Sequence, residues 1–558
     1  MLMTGGQALA RQLVLEGITD LFGIPGAQLD WACDGLHEVS DRLRFCVPRH
    51  EQTASYMADG YARSSGRIGA CMVVPGPGML NALSGLATAW SCNSPVLAIV
   101  GQIPLAAIGK GYGLLHEIQD QSRILGSVTK WHALARHPQD VPVLIREAVR
   151  QLRSGRPRPV AVEIPPDVLS AKAEVALAQP SAADEQRQAP QPELIAEAAR
   201  MLSGARFPVI YVGGGALASG AGAEIERVAE ALQAPVVMSD YGRSVLSDRH
   251  PLALNTLGGR AVFPHADVVL VVGSRFAEAT TPEPAWPQDK VKFIYLNTDP
   301  LSWAAPRVPT LAIQSDAKLG LTALGRALSD VRKPSRAADL QKVRAWCEQQ
   351  LREVEPQWSW MQALRSSIPE NGVLVQDLTQ VCYYTRAFIP LYQPRTSITP
   401  GHQGTLGFSY PTALGVAAAN PERAVVCATG DGGFGYGLAE LATAAKYRLG
   451  VTALVFNNRE FANVKNSTRA TFGRPTAHEL HNPDFSQLAK AFGVKSAVVS
   501  SPAELAEVLP RAIASREPWL LDAPVGDMSD PWNLLRLSQG GVQRSKKTPP
   551  PNPLGEPA

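Results

Sequence analysis

AVVCATGDGGFGYGLAELATAAKYRLGVTALVFNNREFANVKN, residues 424–466, is the stretch that decides the fold. It opens with an apolar run, passes through the glycine turn Gly430–Gly433, continues with apolar residues at helical spacing, and ends on a second apolar run and the pair Asn457-Asn458. This order predicts strand, glycine turn, helix and strand. Because such a crossover joins parallel strands, both strand ends lie at one edge of a sheet, where open α/β sheets bind ligands.

Two side chains at that edge are hard oxygen ligands. Asp431 offers a carboxylate and Asn458 an amide oxygen, and both types suit Mg2+. Protein groups alone seldom hold Mg2+, so phosphate oxygens are expected to complete its shell. Gly430, Gly432 and Gly433 let the backbone approach closely, and the following helix N-terminus favours an anion. We predict Mg2+ with a diphosphate; the alternative is an ordinary strand-to-helix turn with a capping Asp and a surface Asn pair.

The motif GDG followed by NN at this distance resembles the thiamine diphosphate motif of the acetolactate synthase and pyruvate decarboxylase superfamily. The resemblance covers almost the whole chain apart from its tail. It implies thiamine diphosphate and Mg2+ as cofactors, with the Glu460 backbone carbonyl as a third protein ligand to the metal. It also implies an enzyme that decarboxylates a 2-oxo acid, couples it to a second carbonyl compound, or does both. An acetolactate synthase-like activity is the most natural label.

Composition restricts the class of protein. A chain of 558 residues is too long for one core and predicts several domains. Its formal net charge of +3, without a large basic block, gives no indication of nucleic-acid binding. The seven Cys show no CxxC spacing, which favours a reducing cytoplasm, and the first residues lack a signal-peptide pattern. Because no apolar window reaches about 18 residues, no membrane span is predicted.

Short apolar runs alternate with helical segments along the chain, a pattern typical of α/β domains with parallel sheets. We predict three doubly wound domains, at 1–170, 193–335 and 355–530, with an Ala-, Pro- and Gln-rich linker at 171–192. The Pro-rich tail, 531–558, is expected to be disordered or to lie over another surface. By resemblance, the domains correspond to the family's pyrimidine-binding, central and diphosphate-binding domains. The predicted strands are Ile68–Val74, Val96–Val100, Val160–Ile164, Val209–Val212, Val236–Met238, Val268–Val272, Phe293–Leu296, Val373–Gln376, Ala424–Ala428, Val451–Phe456 and Trp519–Leu521.

Glu51 follows the apolar run 45–47 and precedes a helical segment at 52–63. Taken alone, it is a first-turn Glu favoured by the helix dipole. The segment Arg49-His50-Glu51-Gln52, however, resembles the one that carries the activating glutamate in the family. By that resemblance, the Glu51 carboxyl would hydrogen-bond to the aminopyrimidine ring of the cofactor and exchange a proton with it.

The segment TPGHQGTLGFSYP, residues 399–411, has glycines that suggest a tight backbone approach to a flat ligand. The alternative is a strand-to-helix loop with incidental glycines. The segment resembles the family's GGxGTMG stretch. On that match, the Gly404 carbonyl and the Leu406 amide would hydrogen-bond to the aminopyrimidine, and the Leu406 side chain would prop the cofactor into a bent shape. Gln380 resembles a family position that contacts the diphosphate, and Gly433 stands where relatives commonly have Ser.

Other predicted site residues follow further strands or lie just past the metal site, where they should line the cofactor and substrate pocket; they are Gly26, Gln28, Pro75, Asn81, His116 and Asn463. Gln28 and His116 are the candidates for groups that reach the substrate. His116 stands where acetolactate synthases carry Gln, and it can exchange a proton near neutral pH. Asn463 replaces an apolar residue, usually Met. The alternative for His116 is a satisfied structural histidine.

The central domain carries weak indications of a nucleotide. Gly213-Gly214-Gly215 follows a strand but does not match GxGxxG. The segment Gly273-Ser274-Arg275-Phe276 resembles the GxRF segment that touches FAD in acetolactate synthases. Against FAD, the connection at 257–267 is shorter than the flavin-contacting loop of those enzymes. FAD is therefore less favoured than a scaffold that binds no flavin.

Glu51 and Asp431 lie in different predicted domains, and in the family the cofactor sits between the first domain of one chain and the third domain of another. The resemblance therefore implies a homodimer or homotetramer with active sites between chains. One alternative function is a lyase or decarboxylase acting on a 2-hydroxyacyl-CoA or oxalyl-CoA, with Arg544, Lys546 and Lys547 as a basic cluster for the nucleotide. A second is a non-catalytic nucleotide-binding protein, which would not need Glu51.

Overall fold

The computed structural model describes residues 1–180, 187–276, 291–303, 308–529, 531–535 and 550–556. Three six-stranded sheets, each parallel throughout, are found in this part of the chain. The strands at their centres are apolar and buried, as expected for sheets covered by helices on both faces. The predicted fold class, three doubly wound parallel-sheet domains, is confirmed.

The first sheet has the strand order β3-β2-β4-β5-β7-β6. The elements of this region are β1 (Leu2–Thr4), α1 (Gly5–Leu15), β2 (Asp20–Gly23), α2 (Asp30–Glu38), β3 (Arg44–Cys46), α3 (Glu51–Ser65), β4 (Gly69–Val73), α4 (Pro77–Ser91), β5 (Val96–Gly101), α5 (Gln121–Val128), β6 (Trp131–Leu134), α6 (Asp140–Arg153), β7 (Val160–Ile164), α7 (Pro166–Ser170) and β8 (Lys172–Glu174). The predicted linker at 171–192 is not wholly irregular, because β8 pairs antiparallel with β1.

The second sheet has the order β11-β10-β9-β12-β13-β14. The elements are α8 (Pro192–Gly204), β9 (Pro208–Val212), α9 (Gly214–Ser219), α10 (Gly222–Leu232), β10 (Val236–Met238), β11 (Ala253–Leu254), α11 (Thr256–Val262), β12 (Val268–Val272), β13 (Lys292–Asn297), β14 (Leu311–Gln314), α12 (Ala317–Ala327) and α13 (Ala337–Arg352). Counted within its own domain, this is the dinucleotide-binding order 3-2-1-4-5-6.

The third sheet has the order β16-β15-β17-β18-β20-β19. The elements are α14 (Gln357–Ser367), β15 (Val373–Gln376), α15 (Gln380–Phe388), β16 (Ser397–Ile398), α16 (Ser409–Ala419), β17 (Val425–Gly430), α17 (Asp431–Gly435), α18 (Leu441–Tyr447), β18 (Val451–Asn457), α19 (Ala462–Phe472), α20 (Phe485–Ala491), β19 (Lys495–Val498), α21 (Pro502–Ser515), β20 (Trp519–Pro524) and α22 (Trp532–Leu535). The predicted glycine turn is itself the start of a short helix, because α17 begins directly at Asp431.

The first and third domains of one chain are joined by helices α3 and α16, which lie backbone against backbone. A Cβ at Gly60 of α3 would lie 2.2 Å from the Thr412 carbonyl oxygen. A Cβ at Gly415 of α16 would lie 2.0 Å from the Met57 carbonyl oxygen. Only glycine fits at these crossings, so the two helices are held closer than side chains would allow.

The described parts of the predicted tail lie against the protein. The Trp532 ring packs 4.6 Å from the ring of Tyr383, and the Asn552 side chain donates to the Ala261 carbonyl at 3.0 Å. The basic residues Arg544, Lys546 and Lys547 lie outside the described residues. Among the residues that are described, no helix is long and apolar enough to span a bilayer.

Candidate active site

Asp431 and the asparagine pair meet at the carboxyl edge of the third sheet. Asp431 follows β17 directly, and Asn457 ends the neighbouring strand β18. Asp431 Oδ2 accepts hydrogen bonds from the Arg459 amide and the Asn482 side chain, both at 2.7 Å. Arg459 adopts φ +58°, a conformation that costs a non-glycine residue about 1–3 kcal/mol and that brings its amide onto the carboxylate.

This edge of the sheet collects negative charge. Burial raises the pKa of Asp431, and burial together with repulsion from Asp484 and Asp431 raises the pKa of Asp522. Asp522 is linked to the site because its carboxylate accepts from the Asn457 amide at 3.1 Å. A carboxylate that is buried among others is stabilised by a bound cation, and the oxygen donors present are the types that Mg2+ prefers.

Asn458 and Glu460, the other predicted metal ligands, lie beside Asp431. The Asn458 amide nitrogen donates to Glu460 Oε1 at 3.2 Å, which leaves its amide oxygen available for a ligand. The Glu460 carboxylate is occupied by Lys465 Nζ at 2.5 Å and lies 3.3 Å from His478 Nδ1. The Glu460 side chain is thus held by Lys465, and its backbone carbonyl, which accepts from the Ala462 amide at 3.1 Å, keeps a second lone pair for the role predicted from the sequence.

The glycine turn is packed tightly on both sides. A Cβ at Gly432 would lie 2.4 Å from the Phe461 ring, and one at Gly433 would lie 2.4 Å from Asp377 Oδ2. At Gly430 a Cβ would lie 3.3 Å from the Thr379 side chain. Glycine at 433 is therefore explained by the carboxylate that fills the space a serine side chain would need.

The segment 399–408, which we term the wedge loop, contains Gly404 and Leu406 and is fastened to the first domain of its own chain. The Thr399 carbonyl accepts from Arg63 Nη1 of α3 at 2.8 Å. The hydroxyls of Thr405 and Thr88 of α4 lie 3.3 Å apart. Gly404 has φ +60° and Leu406 is half-buried. Nearby, the half-buried Gln380 begins α15.

Glu51 lies at the carboxyl edge of the first sheet, where it is the first residue of α3. Its Oε2 accepts from the Asn81 amide of α4 at 3.0 Å, and its Oε1 lies 3.5 Å from where a Cβ at Gly78 would be. Pro75, which is buried, begins the turn that leads to Gly78. The structure thus brings together Glu51, Asn81 and this turn, as the sequence predicts.

Gln28 and His116 form a second pair at the same edge. His116 Nδ1 lies 3.1 Å from Gln28 Oε1, and Gln28 Nε2 donates to the Leu115 carbonyl at 3.1 Å. His116 has φ +68°, so its backbone is strained. Gly26 packs at the end of β4, because a Cβ there would lie 2.5 Å from Cγ1 of Val74, the residue that follows this strand. The two predicted substrate residues are therefore hydrogen-bond partners rather than separate contacts.

The predicted site residues fall into two groups within one chain. Glu51, Gln28 and His116 belong to the first sheet, and Asp431, Asn458 and the wedge loop belong to the third. Among the described residues, hydrogen bonds join members of each group but none connects one group to the other. Asn463 is the second residue of α19, the helix that follows the predicted metal site.

A cleft of about 570 Å³ lies where the three domains meet, at the carboxyl ends of β9 and β12. Arg63, Arg67 and Arg395 are among its lining residues. Gly214 and Gly215 of the neighbouring glycine turn also line this cleft, and the turn packs closely against Gly273. A Cβ at Gly213 would lie 2.5 Å from the Gly273 carbonyl oxygen, and one at Gly215 would lie 2.9 Å from the same oxygen. These glycines are used to pack two turns together.

Two residues of the site were missed by sequence reasoning. Asn482 donates to both Asp431 Oδ2 and Asn457 Oδ1, the latter at 3.1 Å. Asp377 is fully buried and accepts from the hydroxyls of Ser409 and Thr429, and its burial raises its pKa. Asn482 lies in a loop far along the chain from the motif, so no spacing rule identifies it. Asp377 directly follows a predicted strand, which was a usable signal.

Comparison with known proteins places all three domains. The thiamine pyrophosphate enzyme N-terminal TPP binding domain matches residues 3–124, the central domain 195–324 and the C-terminal TPP binding domain 377–523. A probable acetolactate synthase large subunit of Methanocaldococcus jannaschii is 32% identical over 97% of this chain and 94% of its own. The acetolactate synthase isozyme 3 large subunit of Escherichia coli is 32% identical over 92% of both chains. A probable 2-ketoarginine decarboxylase of Pseudomonas aeruginosa is 33% identical over 91% of this chain and 90% of its own.

Proposed function

The chain belongs to the thiamine pyrophosphate enzyme family, and we propose that it converts a 2-oxo acid by decarboxylation, carboligation or both, in the manner of acetolactate synthase. One observation carries this proposal. Oxygen ligands suited to Mg2+ lie at the carboxyl edge of the third sheet, and Glu51 lies at the equivalent edge of the first sheet, which has the same strand order. The acyl-CoA and non-catalytic alternatives are not favoured, since the curated relatives that match are named as synthases or as a decarboxylase.

Asp431, Asn458 and the Glu460 carbonyl would hold Mg2+. The fit rests on the raised pKa of the buried Asp431 carboxyl, on the free amide oxygen of Asn458 and on the engagement of the Glu460 side chain elsewhere. The diphosphate would lie against the N-terminus of α17, with Gly432 and its neighbouring glycines supplying close backbone approach. When bound, thiamine diphosphate supplies the nucleophilic carbon and stores the electrons released by decarboxylation.

The chain's own residues supply orientation and proton control. Glu51 would hold a proton at the aminopyrimidine ring, with Asn81 fixing one carboxyl oxygen so that the other faces the cofactor. Gly404 and Leu406, from the third domain, would bind the aminopyrimidine ring of the cofactor. Gln28 and His116, held to each other, would face the substrate, and His116 can donate or accept a proton there.

The assembly is inferred from the separation of the two groups of site residues and from the resemblance to the family. Within the described residues of one chain, no hydrogen bond joins Glu51, Gln28 or His116 to Asp431, Asn458 or the wedge loop. We infer a homodimer or larger homo-oligomer in which Glu51 of one chain meets Asp431 of another.

The central domain is proposed to carry no flavin. Its glycine turn lines the cleft at Gly214 and Gly215, but Gly213 and Gly215 pack against the Gly273 backbone, and a Cβ at Gly214 would lie 3.1 Å from the Tyr241 Cβ. This close packing favours a packing role for the turn over phosphate binding. A purified protein with the visible absorbance of a flavin would contradict this part of the proposal.

The test of activity is reconstitution with thiamine diphosphate and Mg2+, followed by a screen of 2-oxo acids for CO2 release with and without a second carbonyl compound. Turnover that requires both cofactors is expected. Pyruvate as substrate with acetolactate as product would make the assignment specific, whereas CO2 and an aldehyde would favour a decarboxylase. Failure to turn over any 2-oxo acid would contradict the proposed function.

The test of assembly mixes two inactive variants, Glu51→Ala and Asp431→Asn, under conditions that exchange subunits. A mixed dimer would have one site with both residues intact, so random mixing should restore roughly a quarter of the wild-type activity. Each variant mixed with itself is the control. No recovery from protein that has demonstrably exchanged would contradict sites between chains.

A further inference from the structure

Glu163 is a buried carboxylate for which the fold alone gives no reason. It lies on β7 with no exposed surface, in a strand that pairs on both sides. Its oxygens accept from Gln102 Nε2 at 2.9 Å, from Gln121 Nε2 at 2.9 Å and from Ser122 Oγ at 2.5 Å. Within the described residues no Lys, Arg or His lies at ion-pair distance from it. Burying a carboxylate without a cation costs free energy, so a structural role would be served more cheaply by an apolar residue.

The carboxylate fixes the orientation of the Gln121 side chain. The amide nitrogen of Gln121 faces the carboxylate, since it donates both to Glu163 Oε2 and to the Gly101 carbonyl, each at 2.9 Å. The Gln121 amide oxygen is thereby turned to the other side. There it accepts from the Gly76 backbone amide at 3.0 Å. Gln121 is itself buried, so this chain of hydrogen bonds is shielded from water.

Gly76 lies at the centre of the first-domain half of the active site. Its φ of +57° is accessible to glycine, and a Cβ there would lie 2.4 Å from the His116 carbonyl oxygen. The same turn continues to Gly78, next to Glu51, and into the helix that carries Asn81. The position of the Gly76 amide therefore sets both the Glu51 surroundings and the backbone of His116.

We propose that Glu163 is a positioning residue that acts through Gln121 to hold the turn 75–78, and through it Glu51 and His116, in the geometry needed for cofactor and substrate. This role in catalysis rests on the proposed function, whereas the mechanical link from Glu163 to the turn does not. Glu163 touches neither cofactor nor substrate. Its contribution is to hold the glycine-containing turn in one backbone conformation, through the hydrogen bond between Gln121 and the Gly76 amide.

The link is tested by hydrogen exchange in the cofactor-free protein at the amides of Gly76 and Gly78, since Pro75 and Pro77 carry no N–H. Glu163→Leu keeps the size but removes the acceptor, and exchange there should become about tenfold faster. Glu163→Gln should stay near wild type, because its amide oxygen can still accept from both glutamines while its nitrogen faces Ser122. Ser122→Ala, which loses a bond to the same carboxylate without touching the turn, is the matched control. Unchanged exchange in Glu163→Leu would overturn the proposal.

A second variant keeps the test decisive if Glu163→Leu does not fold. Gln121→Leu breaks the link without altering the carboxylate, and it should speed exchange at the same two glycine amides and raise the Kd of thiamine diphosphate about tenfold. In a double variant with Glu163→Leu the two effects should not add, whereas independent packing defects would add. Additive effects would overturn the link. If the wild type binds no thiamine diphosphate, the proposed function fails and the exchange measurement still decides the link.

Discussion

The first and third sheets share one strand order, which within each domain reads 2-1-3-4-6-5, yet their carboxyl edges carry different chemistry. The first edge presents a carboxyl with a single amide partner, Glu51 with Asn81, and a glutamine–histidine pair. The third presents carboxylates, asparagines and glycines. Under the proposed function, one scaffold serves a proton-exchanging half-site and a cation- and phosphate-binding half-site.

The difference shows that the function of each half-site depends on the few residues that directly follow its strands. Strand order fixes where those residues gather, because parallel strands end at one edge. The central sheet shows that strand order alone is not sufficient. It has the dinucleotide-binding order 3-2-1-4-5-6, but its Gly213–Gly215 turn packs against Gly273. A sheet with the dinucleotide-binding order is therefore not by itself evidence of a nucleotide site.

Replacing Glu51, in the first-domain half-site, should have the largest effect on turnover. Glu51→Gln keeps the hydrogen bond to Asn81 but cannot exchange a proton, so turnover should fall about 100- to 10,000-fold. Cofactor binding should change little, as measured by titration with thiamine diphosphate. The exposed Glu38→Gln on α2 of the same domain is the control. Activity within tenfold of wild type in Glu51→Gln would contradict the assigned role.

The Asp431→Asn variant should abolish the metal half-site while making the cofactor-free protein more stable. Burial raises the folded-state pKa of this carboxyl above the ordinary Asp value of 3.8. Its favourable contribution is therefore present below that value and is lost as pH rises through the folded pKa, so the ionised form destabilises the protein at neutral pH. We expect a higher melting temperature without cofactor and a 10- to 100-fold or greater loss of Mg2+ affinity.

Mg2+ affinity of the wild type should also weaken on acidification at a higher pH than for an ordinary Asp, because the proton competes with the metal. Asp120→Asn, at the exposed N-cap of α5 in the first domain, is the control for both measurements, since Asn also caps a helix. A melting temperature that falls equally in both variants would show that the Asp431 carboxylate stabilises the cofactor-free site.

A smaller effect is expected at the substrate pair. His116→Gln can still hydrogen-bond to Gln28, but it cannot exchange a proton near neutral pH. The KM for the 2-oxo acid should rise about two- to tenfold, with the Kd of thiamine diphosphate unchanged, as read from steady-state kinetics and cofactor titration. The exposed neighbour Leu115→Ala serves as the control. A change in cofactor affinity instead would place His116 in the cofactor half-site.

The smallest effect is expected where the wedge loop meets its own first domain. Thr88→Val removes one hydroxyl contact to Thr405 without changing the size of the side chain. Loss of one hydrogen bond of about 0.5–1.5 kcal/mol should weaken thiamine diphosphate binding about two- to fivefold. Thr322→Val is the control, because that hydroxyl bonds within its own helix α12. If both variants bind equally well, the attachment of the loop does not contribute to affinity.

Much of the fold was predictable because buried parallel strands have continuous apolar sequences. The strands Val160–Ile164, Val236–Met238, Val268–Val272 and Val373–Gln376 have the bounds predicted from the sequence. Short strands at the sheet edges, such as β16 with two residues, are too brief to give a pattern. The strand β8 was missed inside the predicted linker, because its partner β1 lies at the other end of the domain.

The site was predictable where chemistry and local spacing coincide. Asp431 and Asn458 stand out because a glycine turn and a strand end frame them, and resemblance was needed to single out Glu51 from an ordinary helix start. Asn482 and Glu163 were not predictable. Their importance comes from contacts across the fold, 51 residues from Asp431 in one case and 42 from Gln121 in the other.

The backbone contact between α3 and α16 limits how this enzyme can open. Gly60 and Gly415 each lie directly against a backbone carbonyl of the opposing helix. At these two crossings no side chains separate the helices, so the helices cannot slide past each other by a change of side-chain rotamers. Hinge motion between these domains of a chain is therefore resisted, and access for substrate must come from loops. The segment 109–117 is suited to that task, because its three glycines have positive φ and nothing within 4 Å of where a Cβ would be.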